Sequence, residues 1–185
     1  MKEIIREVAV RHFNAFGYEG VKMNKIAEEV GIRKQSLSYH YPTKSDLLLD
    51  TYKQIVNEEI SFIEDFFTKK DIGIKELLLL LLKETEYRYY KQPNVAFLQI
   101  MSFQAPVEYS DIVISYYREY LHIFKQNLIQ ISSKSNSFTC TPEEFAVGFI
   151  TIFDGLIIQL VYEDSRSFKY ASQSSFSIFW KGITS

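Results

Sequence analysis

Hydrophobic residues recur at steps of three and four along most of the chain, the spacing that places them on one face of an α-helix. In the first segment, the residues joined by these steps are Ile5, Val8, Ala9, His12, Phe13 and Phe16. Strict alternation of apolar and polar residues, which is typical of half-buried strands, is scarce. The pattern therefore predicts an all-α fold.

The beginning of the chain is divided into short helices. Gly17 can end the first helix, because glycine adopts the left-handed conformation at low cost. Asn24 can cap a second helix that Gly31 ends, and a third helix is predicted over residues 35–41, before Pro42. Two short helices joined by a glycine-containing turn form a helix-turn-helix, whose second helix can enter the major groove of DNA.

The third helix is predicted to have an inner and an outer face. At about 100° per residue, Leu37 and Tyr41 fall on one side of it. Gln35 and Tyr39 fall on the opposite side, so we expect these two side chains to face outward, where they can contact bases.

Lys44 lies at the start of a fourth helix, which is predicted to run toward Phe67 with Thr43 or Ser45 as its cap. A lysine at a helix N-terminus is slightly unfavourable for the helix dipole. Its position is explained if a DNA phosphate binds the free backbone amides there. The sequence therefore predicts a phosphate-binding corner at Lys44.

Positive charge is concentrated in the same part of the chain. Residues 22–44 carry five cations and two glutamates, a balance of +3 in a chain whose net charge is −2. The cations are Lys22, Lys25, Arg33, Lys34 and Lys44. A solvated helix face can carry such a cluster too, so the charge indicates nucleic-acid binding only together with the helix pattern.

The residues that carry a wider resemblance keep their order and spacing across three helices and the start of a fourth. They are Phe13, Phe16, Gly17, Gly20, Ile26, Ala27, Gly31, Ile32, Leu37, Tyr39, His40, Tyr41, Pro42, Thr43, Lys44, Asp46, Leu47 and Leu48. With this pattern, residues 4–50 resemble the DNA-binding domain of the tetracycline-repressor (TetR) family.

The resemblance implies a helix-turn-helix domain over residues 1–48, a linking helix from about 44 to 68, and a larger helical dimerisation and effector domain over residues 49–185. It also implies a homodimer that represses transcription at a near-palindromic double-stranded DNA operator and is released by a small apolar ligand. The alternative is a helical DNA-binding dimer that senses no ligand.

The residues expected to contact DNA come from matching positions in the family and from the cationic cluster. They are Lys22, Asn24, Lys25, Arg33, Lys34, Gln35, Ser36, Ser38, Tyr39, His40 and Lys44. Many relatives have tyrosine where this chain has Ser38 and phenylalanine where it has Tyr41. We expect Tyr39 to take over the aromatic contact, and Tyr41 to be a core residue whose hydroxyl reaches the surface.

Helices are also predicted over residues 74–92 and 112–131, with Pro93 and Pro106 bracketing a short apolar segment between them. The polar residues 132–140 are expected to form a loop. These elements carry no motif as specific as the one at the N-terminus.

A further helix starts at Thr141, where Pro142 and Glu144 complete a capping box. Residues 145–161 are apolar almost all round, so this helix must be covered on several sides, either by its own chain or by a partner. The family pairs its last two helices across a dimer in a four-helix bundle. The interface residues expected on this basis are Phe145, Gly148, Phe149, Ile152, Gly155, Leu156, Gln159, Phe176, Phe179 and Trp180.

Aromatic residues make up 16% of the chain, and those of the helical body fit either an effector pocket or an ordinary core. Asp154 lies in an apolar stretch, where a carboxylate needs a partner. The residues expected to bind an effector are Phe97, Met101, Tyr116, Tyr120, Phe153 and Asp154.

Neither an enzyme nor a metal protein is indicated. His12, His40 and His122 are dispersed, and the sequence has no catalytic triad, metal-ligand cluster or glycine-rich loop after a strand. We therefore expect no catalytic residue, no metal and no cofactor.

A cytoplasmic protein without a membrane partner is expected. The single cysteine, Cys140, excludes an intramolecular disulfide and suits a reducing compartment. The charged N-terminus does not resemble a signal peptide. The apolar run from Leu77 to Leu82 is far shorter than the roughly 20 residues needed to cross a bilayer.

Overall fold

The computed structural model describes residues 1–68 and 72–184, and in these ranges it contains helices and loops but no strand. The predicted all-α fold is confirmed. The α-helices are α1 (Lys2–Gly20), α2 (Met23–Val30), α3 (Lys34–His40), α4 (Lys44–Thr68), α5 (Ile74–Lys91), α6 (Pro93–Gln104), α7 (Ser110–Ser132), α8 (Pro142–Tyr162) and α9 (Ser165–Ile183), and a short 3-10 helix covers Val107–Tyr109.

The described residues form two compact units. Unit 1 consists of residues 1–58 and 92–117, and unit 2 of residues 59–91 and 118–185 as far as they are described. Helices α4 and α7 contribute residues to both units. The boundary predicted after residue 48 separates two functions, the helix-turn-helix and the dimerisation and effector domain. The two compact units do not test it, so it stays a prediction.

Two glycines interrupt the N-terminal helices as the sequence predicts. Gly17 has a φ of 62° and breaks the regular conformation of α1, and Gly31 has a φ of 79° and ends α2. The expected cap Asn24 is wrong, because α2 begins at Met23 after an extended Lys22 whose carbonyl accepts the first backbone hydrogen bonds. Asn24 therefore lies inside the first turn of α2.

Thr43 caps α4, one of the two alternatives for that helix. Its Oγ1 accepts a hydrogen bond from the backbone N–H of Asp46 at 3.1 Å. In return, the Asp46 carboxylate accepts one from the backbone N–H of Thr43 at 3.0 Å. This reciprocal pair satisfies two backbone donors at the start of the helix and fixes where α4 begins.

The core of unit 1 is built by aromatic rings from three helices. Phe97 of α6 lies 5.8 Å from Phe13 of α1 and 6.2 Å from Tyr52 of α4, measured between ring centroids. The Nδ2 of Asn14 donates to the backbone carbonyl of Pro93 at 2.9 Å, a second link between α1 and α6. Helix α6 is therefore packed directly on α1.

Tyr41 is a core residue as expected, with only 2% of its surface exposed, but its hydroxyl does not reach the surface. It donates to the Oδ2 of Asp50 at 2.6 Å, and Arg6 donates to the same oxygen at 3.2 Å. Burial and this carboxylate raise the pKa of Tyr41 to about 12. The partial burial of Asp50 alone would raise its pKa, but the hydrogen bonds from Tyr41 and Arg6 lower it below 3.8.

The core of unit 2 includes the contact between α8 and α9. The predicted capping box at the start of α8 is confirmed: Thr141 and Glu144 exchange side-chain and backbone hydrogen bonds of 2.8 and 3.2 Å. Gly148 lies against Phe179 of the same chain, so close that a Cβ at this position would be 3.0 Å from the ring. The missing side chain at Gly148 thus admits a ring from α9.

Helix α8 is the one helix of the described residues that is long and apolar enough to cross a membrane. In the sequence, α8 was predicted as an apolar helix that needs cover on several sides, and only the run at 77–82 was considered as a membrane span. Core helices of soluble proteins can have the same length and composition. The side of α8 that faces α9 is buried, as one side of such a core helix is.

Replacing Tyr41 with phenylalanine keeps the buried ring but removes the hydrogen bond to Asp50. We expect this variant to lower the free energy of unfolding by about 1 to 2 kcal/mol near neutral pH. The value lies at the lower end for a charged acceptor, because the Asp50 side chain is 41% exposed. Urea unfolding of both proteins measures the difference.

The pH dependence of that difference is a control. Because the fold lowers the pKa of Asp50, the carboxylate contributes stability above its unfolded pKa, and this contribution is lost as the pH falls through the folded value. The two proteins should therefore converge in stability as the pH falls through the folded pKa of Asp50, which lies below the ordinary value for aspartate. A difference that stays constant down to about pH 2 would contradict the assigned hydrogen bond.

Candidate nucleic-acid interface

The turn between α2 and α3 is held by buried apolar residues and by backbone hydrogen bonds. Ile26 and Ala27 of α2 and Leu37 of α3 are buried. The backbone N–H of Ile32 donates to the carbonyl of Ala27 at 2.9 Å across Gly31. This arrangement is a helix-turn-helix, and α3 occupies the position of its recognition helix.

The outer face of this motif carries the polar residues that the sequence singled out. Tyr39 is 86% exposed, and Gln35 is exposed on the same face, so both predictions about orientation agree with the structure. His40 and Lys44 are half-buried. The other exposed members of the predicted set are Lys22, Asn24, Lys25, Arg33, Lys34, Ser36 and Ser38.

The glutamates of α2 are paired with residues other than the turn cations. Lys25 donates to Glu28 at 2.7 Å. Glu29 accepts from Arg11 at 2.7 Å and lies 2.8 Å from His12, and these two hydrogen bonds lower the pKa of Glu29. None of these contacts involves Lys22, Arg33 or Lys34.

Three cations of the motif form no ion pair within the described residues, namely Lys22, Arg33 and Lys34. All three are exposed around α2 and α3. Exposed cations without an internal partner are the groups that phosphates can neutralise.

Lys44 differs from the open phosphate-binding corner that was expected. Its Nζ donates to the backbone carbonyl of Tyr18 at 2.6 Å and lies 4.1 Å from the centre of the Tyr18 ring. Only 22% of the lysine side chain is exposed. The same carbonyl also accepts a hydrogen bond from the backbone N–H of Val21 at 3.4 Å, so the ammonium group is its second and closer donor. Lys44 therefore joins the start of α4 to the end of α1.

The structural role of Tyr18 was not predicted from the sequence, although its position directly after the helix break at Gly17 was a usable signal. Its ring stacks on Phe13 at 6.3 Å and meets Tyr109 edge to face at 5.9 Å. Burial and a hydrogen bond with Tyr109 raise the pKa of Tyr18 to about 12. Tyr18 thus connects α1 and Lys44 with the 3-10 helix before α7.

The expected effector residues are divided between the two units. In unit 1, Phe97 and Met101 are buried and Tyr116 is half-buried, 6.5 Å from the ring of Tyr52. The structure places Phe97 in the aromatic core of that unit. None of these three lines a cavity described within unit 1.

In unit 2, Tyr120 and Phe153 are buried and meet through Phe124, whose ring lies 6.1 and 5.1 Å from theirs. Asp154 is half-buried. Burial raises the pKa of Tyr120, and the charges of Glu59 and Asp154 raise it further. Asp154 and Tyr120, two of the predicted effector residues, therefore interact electrostatically in the core of unit 2.

A buried ion pair that the sequence argument missed lies in this core. Glu59 is buried, and both terminal nitrogens of the Arg88 guanidinium donate to its carboxylate, Nη1 at 2.9 Å and Nη2 to the other oxygen. The guanidinium also lies 3.5 Å from the centre of the Phe62 ring. Helices α4, α5 and α8 thus each bring a charged side chain to the surroundings of Tyr120, which lies on α7.

Part of the predicted dimer face is already buried inside the single chain. Four of its members, Phe145, Phe149, Leu156 and Phe176, are buried within the chain, because α9 covers that side of α8. A partner can gain little surface from them. The half-buried members are Gly148, Ile152, Gln159, Phe179 and Trp180, and Gly155 is exposed.

A different stripe of α8 is exposed, at steps of three and four residues. Its members are Val147, Thr151, Gly155, Ile158 and Tyr162. Ile178 of α9 is 74% exposed as well. The five residues of α8, called the α8 stripe below, are apolar apart from Thr151, and like Ile178 they remain without cover in the single chain.

The described residues contain no group of three or more His, Cys, Asp or Glu that could hold a metal ion.

Comparison with known families supports the geometry of the first helices. The family model described as bacterial regulatory proteins, tetR family, matches residues 5–51. The HTH-type transcriptional regulator RutR of Escherichia coli (strain K12) is 32% identical over 110 residues, which are 57% of this chain and 50% of RutR.

The biofilm operon icaADBC HTH-type negative transcriptional regulator IcaR of Staphylococcus epidermidis is 28% identical over 97 residues, 49% of this chain and 50% of IcaR. The chain thus spans about half the length of the curated relatives it matches.

Solved structures resemble the fold over nearly its full length. A TetR-family transcriptional regulator from Agrobacterium tumefaciens has a TM-score of 0.77 at 20% identity, with 100% of this chain and 97% of that chain covered. FadR from Bacillus subtilis, solved in complex with stearoyl-CoA, has a TM-score of 0.76 at 19% identity, with 99% and 100% covered. At these identities the likeness establishes the fold.

Proposed function

Because this chain belongs to the TetR family of transcriptional regulators, we propose that it represses transcription as a homodimer bound to a near-palindromic operator. The TetR family is not a family of enzymes. The observation that carries the proposal is the recognition helix α3, which exposes Gln35 and Tyr39 beside unpaired cations. IcaR, one of the relatives, is named a negative regulator, which supports repression, and a cytoplasmic location follows from such a role.

Two kinds of DNA contact have different sources in this motif. Lys22, Arg33 and Lys34 have no internal ion pair and supply contacts to phosphates, which position the protein without reading sequence. Gln35 and Tyr39 point away from the core of the motif and read base edges in the major groove. Lys44 supports this surface by fixing α4 against the end of α1.

Lys34→Ala should weaken binding to every DNA sequence by a similar factor and reduce its dependence on salt. If each subunit of a dimer loses one phosphate contact, the slope of log affinity against log salt should become less negative by about 1.8. Tyr39→Ala should instead change the preference among operator variants by about 1 to 3 kcal/mol. Fluorescence anisotropy with selected operators over a salt series measures both effects.

Lys134→Ala is the matched control, because Lys134 is an exposed lysine in the loop between α7 and α8. It removes the same charge and should leave the slope unchanged. Equal losses on all sequences for Lys34→Ala and Tyr39→Ala would contradict the division of roles.

We further propose that the homodimer forms through the α8 stripe and Ile178. The stripe is apolar and uncovered, and a second copy supplies an equivalent surface about a twofold axis. The same burial explains why α8 is apolar nearly all round, with α9 covering one side and the partner the other. A twofold dimer presents its recognition helices to half-sites about one helical turn apart, or a multiple of it.

Gly155→Glu should convert the dimer to monomer and abolish operator binding at concentrations where the native chain binds. A Cβ at Gly155 meets no atom within 4 Å, so the substitution does not disturb the single chain. In the dimer it places a carboxylate in an apolar interface, where burial of an unpaired charge is costly.

Sedimentation velocity gives the oligomeric state, and a gel shift gives DNA binding. Gln126→Glu, at an exposed position of α7, is the control for added charge. A dimeric Gly155→Glu protein with normal DNA binding would show that the interface lies elsewhere.

We propose an effector site around Tyr120 in unit 2, for a small and largely apolar ligand. The buried rings of Phe124 and Phe153 supply apolar surface, and Asp154 and the Tyr120 hydroxyl supply polar contacts that fix orientation. FadR from Bacillus subtilis, which shares the fold, binds stearoyl-CoA, a molecule with a long apolar portion. The second candidate is a dimer that senses no ligand, favoured by the tight aromatic packing of this core.

A thermal-shift screen with apolar and cationic compounds tests the effector site, with stearoyl-CoA included as a probe. A ligand present at 100 times its dissociation constant stabilises the protein by about 2.7 kcal/mol. Because DNA release requires the ligand to favour a DNA-incompetent state, each hit should also weaken operator binding in a gel shift.

Asp154→Asn should reduce the shift for such hits, and Asp111→Asn, at an exposed position of α7, should not. Hits that stabilise the protein but leave operator affinity unchanged would favour the ligand-independent dimer.

A further inference from the structure

A groove between α5 and α9 in unit 2 is not used by any of the proposed contacts with DNA, partner or effector. Its volume is about 510 Å³, within the range of small-molecule sites. The two helices run antiparallel, since Lys169 pairs with Glu86 while Lys75 lies over the ring of Trp180. From Leu79 to Lys91 the groove extends along roughly 18 Å of helix.

The walls of the groove are apolar and aromatic along this length. Leu82 and Phe168 are buried and form its floor. Leu79, Tyr87 and Tyr90 are exposed large side chains that line it, and nothing in the described chain covers them. An elongated apolar surface of this kind binds an extended chain through the hydrophobic effect.

The rim of the groove is cationic. Lys83, Lys91 and Lys169 line it against a single carboxylate, that of Glu86. Glu86 is already engaged, as it accepts from Ser165 at 2.5 Å and lies 3.5 Å from Lys169. Lys83 and Lys91 are exposed and have no ion pair among the described residues. The groove therefore keeps an excess of positive charge beside its apolar floor.

We propose that this groove binds an amphiphilic carboxylate, an unbranched aliphatic chain with one terminal anionic group. The chain lies on Leu82 and Phe168 between the tyrosines, and the carboxylate pairs with Lys83 or Lys91. The proposal does not rest on the effector site around Tyr120.

Isothermal titration calorimetry with the full chain tests this, using decanoate, decanol and decyltrimethylammonium below their micelle concentrations. Decanoate should bind more tightly than decanol, and decyltrimethylammonium should bind most weakly. The double variant Lys83→Gln/Lys91→Gln removes both alternative partners of the carboxylate and should weaken decanoate binding about three- to fivefold, as loss of one exposed ion pair implies, and change decanol binding less than about twofold.

Two further variants separate this groove from other sites. Leu79→Asn removes apolar wall at an exposed position and should weaken decanoate and decanol alike, while Lys134→Gln removes a distant lysine and should change neither. Absence of decanoate binding, or binding that survives Lys83→Gln/Lys91→Gln unchanged, would overturn the proposal. Decanoate binding that is lost only in Asp154→Asn would also overturn it and place the ligand at the Tyr120 core.

Discussion

The recognition helix α3 depends on the burial of one side of a very short element. Its seven residues form too few turns to be stable in water by themselves. Leu37 and Tyr41 lock it to its neighbours, and the Tyr41 hydroxyl adds a hydrogen bond to Asp50 of α4. The orientation of Gln35 and Tyr39 toward solvent follows from this inner anchoring. The base contacts proposed for Gln35 and Tyr39 therefore require the fit of two buried side chains.

A second set of contacts ties the same motif to the rest of unit 1. Tyr18 lies between Phe13, Tyr109 and the ammonium group of Lys44, and Asn14 holds the start of α6. The first helix is thus fixed by α4 on one hand and by α6 and the 3-10 helix on the other. A shift of α6 or of the 3-10 helix would displace the end of α1, next to the residues proposed to bind phosphates.

Apart from the cap at Asn24, local patterns predicted from the sequence agree with the structure where the determining residues are close together in the chain. The turns at Gly17 and Gly31, the faces of α3 and the capping box at Thr141 all depend on neighbours within a few residues. The partner of Lys44 lies 26 residues away, and nothing local to Lys44 indicates it. Which side of α8 its own chain covers was not predictable, because a helix that is apolar all round has no periodicity to mark that side.

The two faces of α3 share no residue. Substitutions at Gln35, Ser36 or Tyr39 therefore leave the buried anchors Leu37 and Tyr41 intact, and exposed positions of this kind usually change stability by less than about 0.5 kcal/mol. A lineage carrying this fold can consequently try new outward side chains one at a time without passing through an unfolded intermediate sequence. Separation of the anchoring face from the reading face makes the helix easy for evolution to retarget.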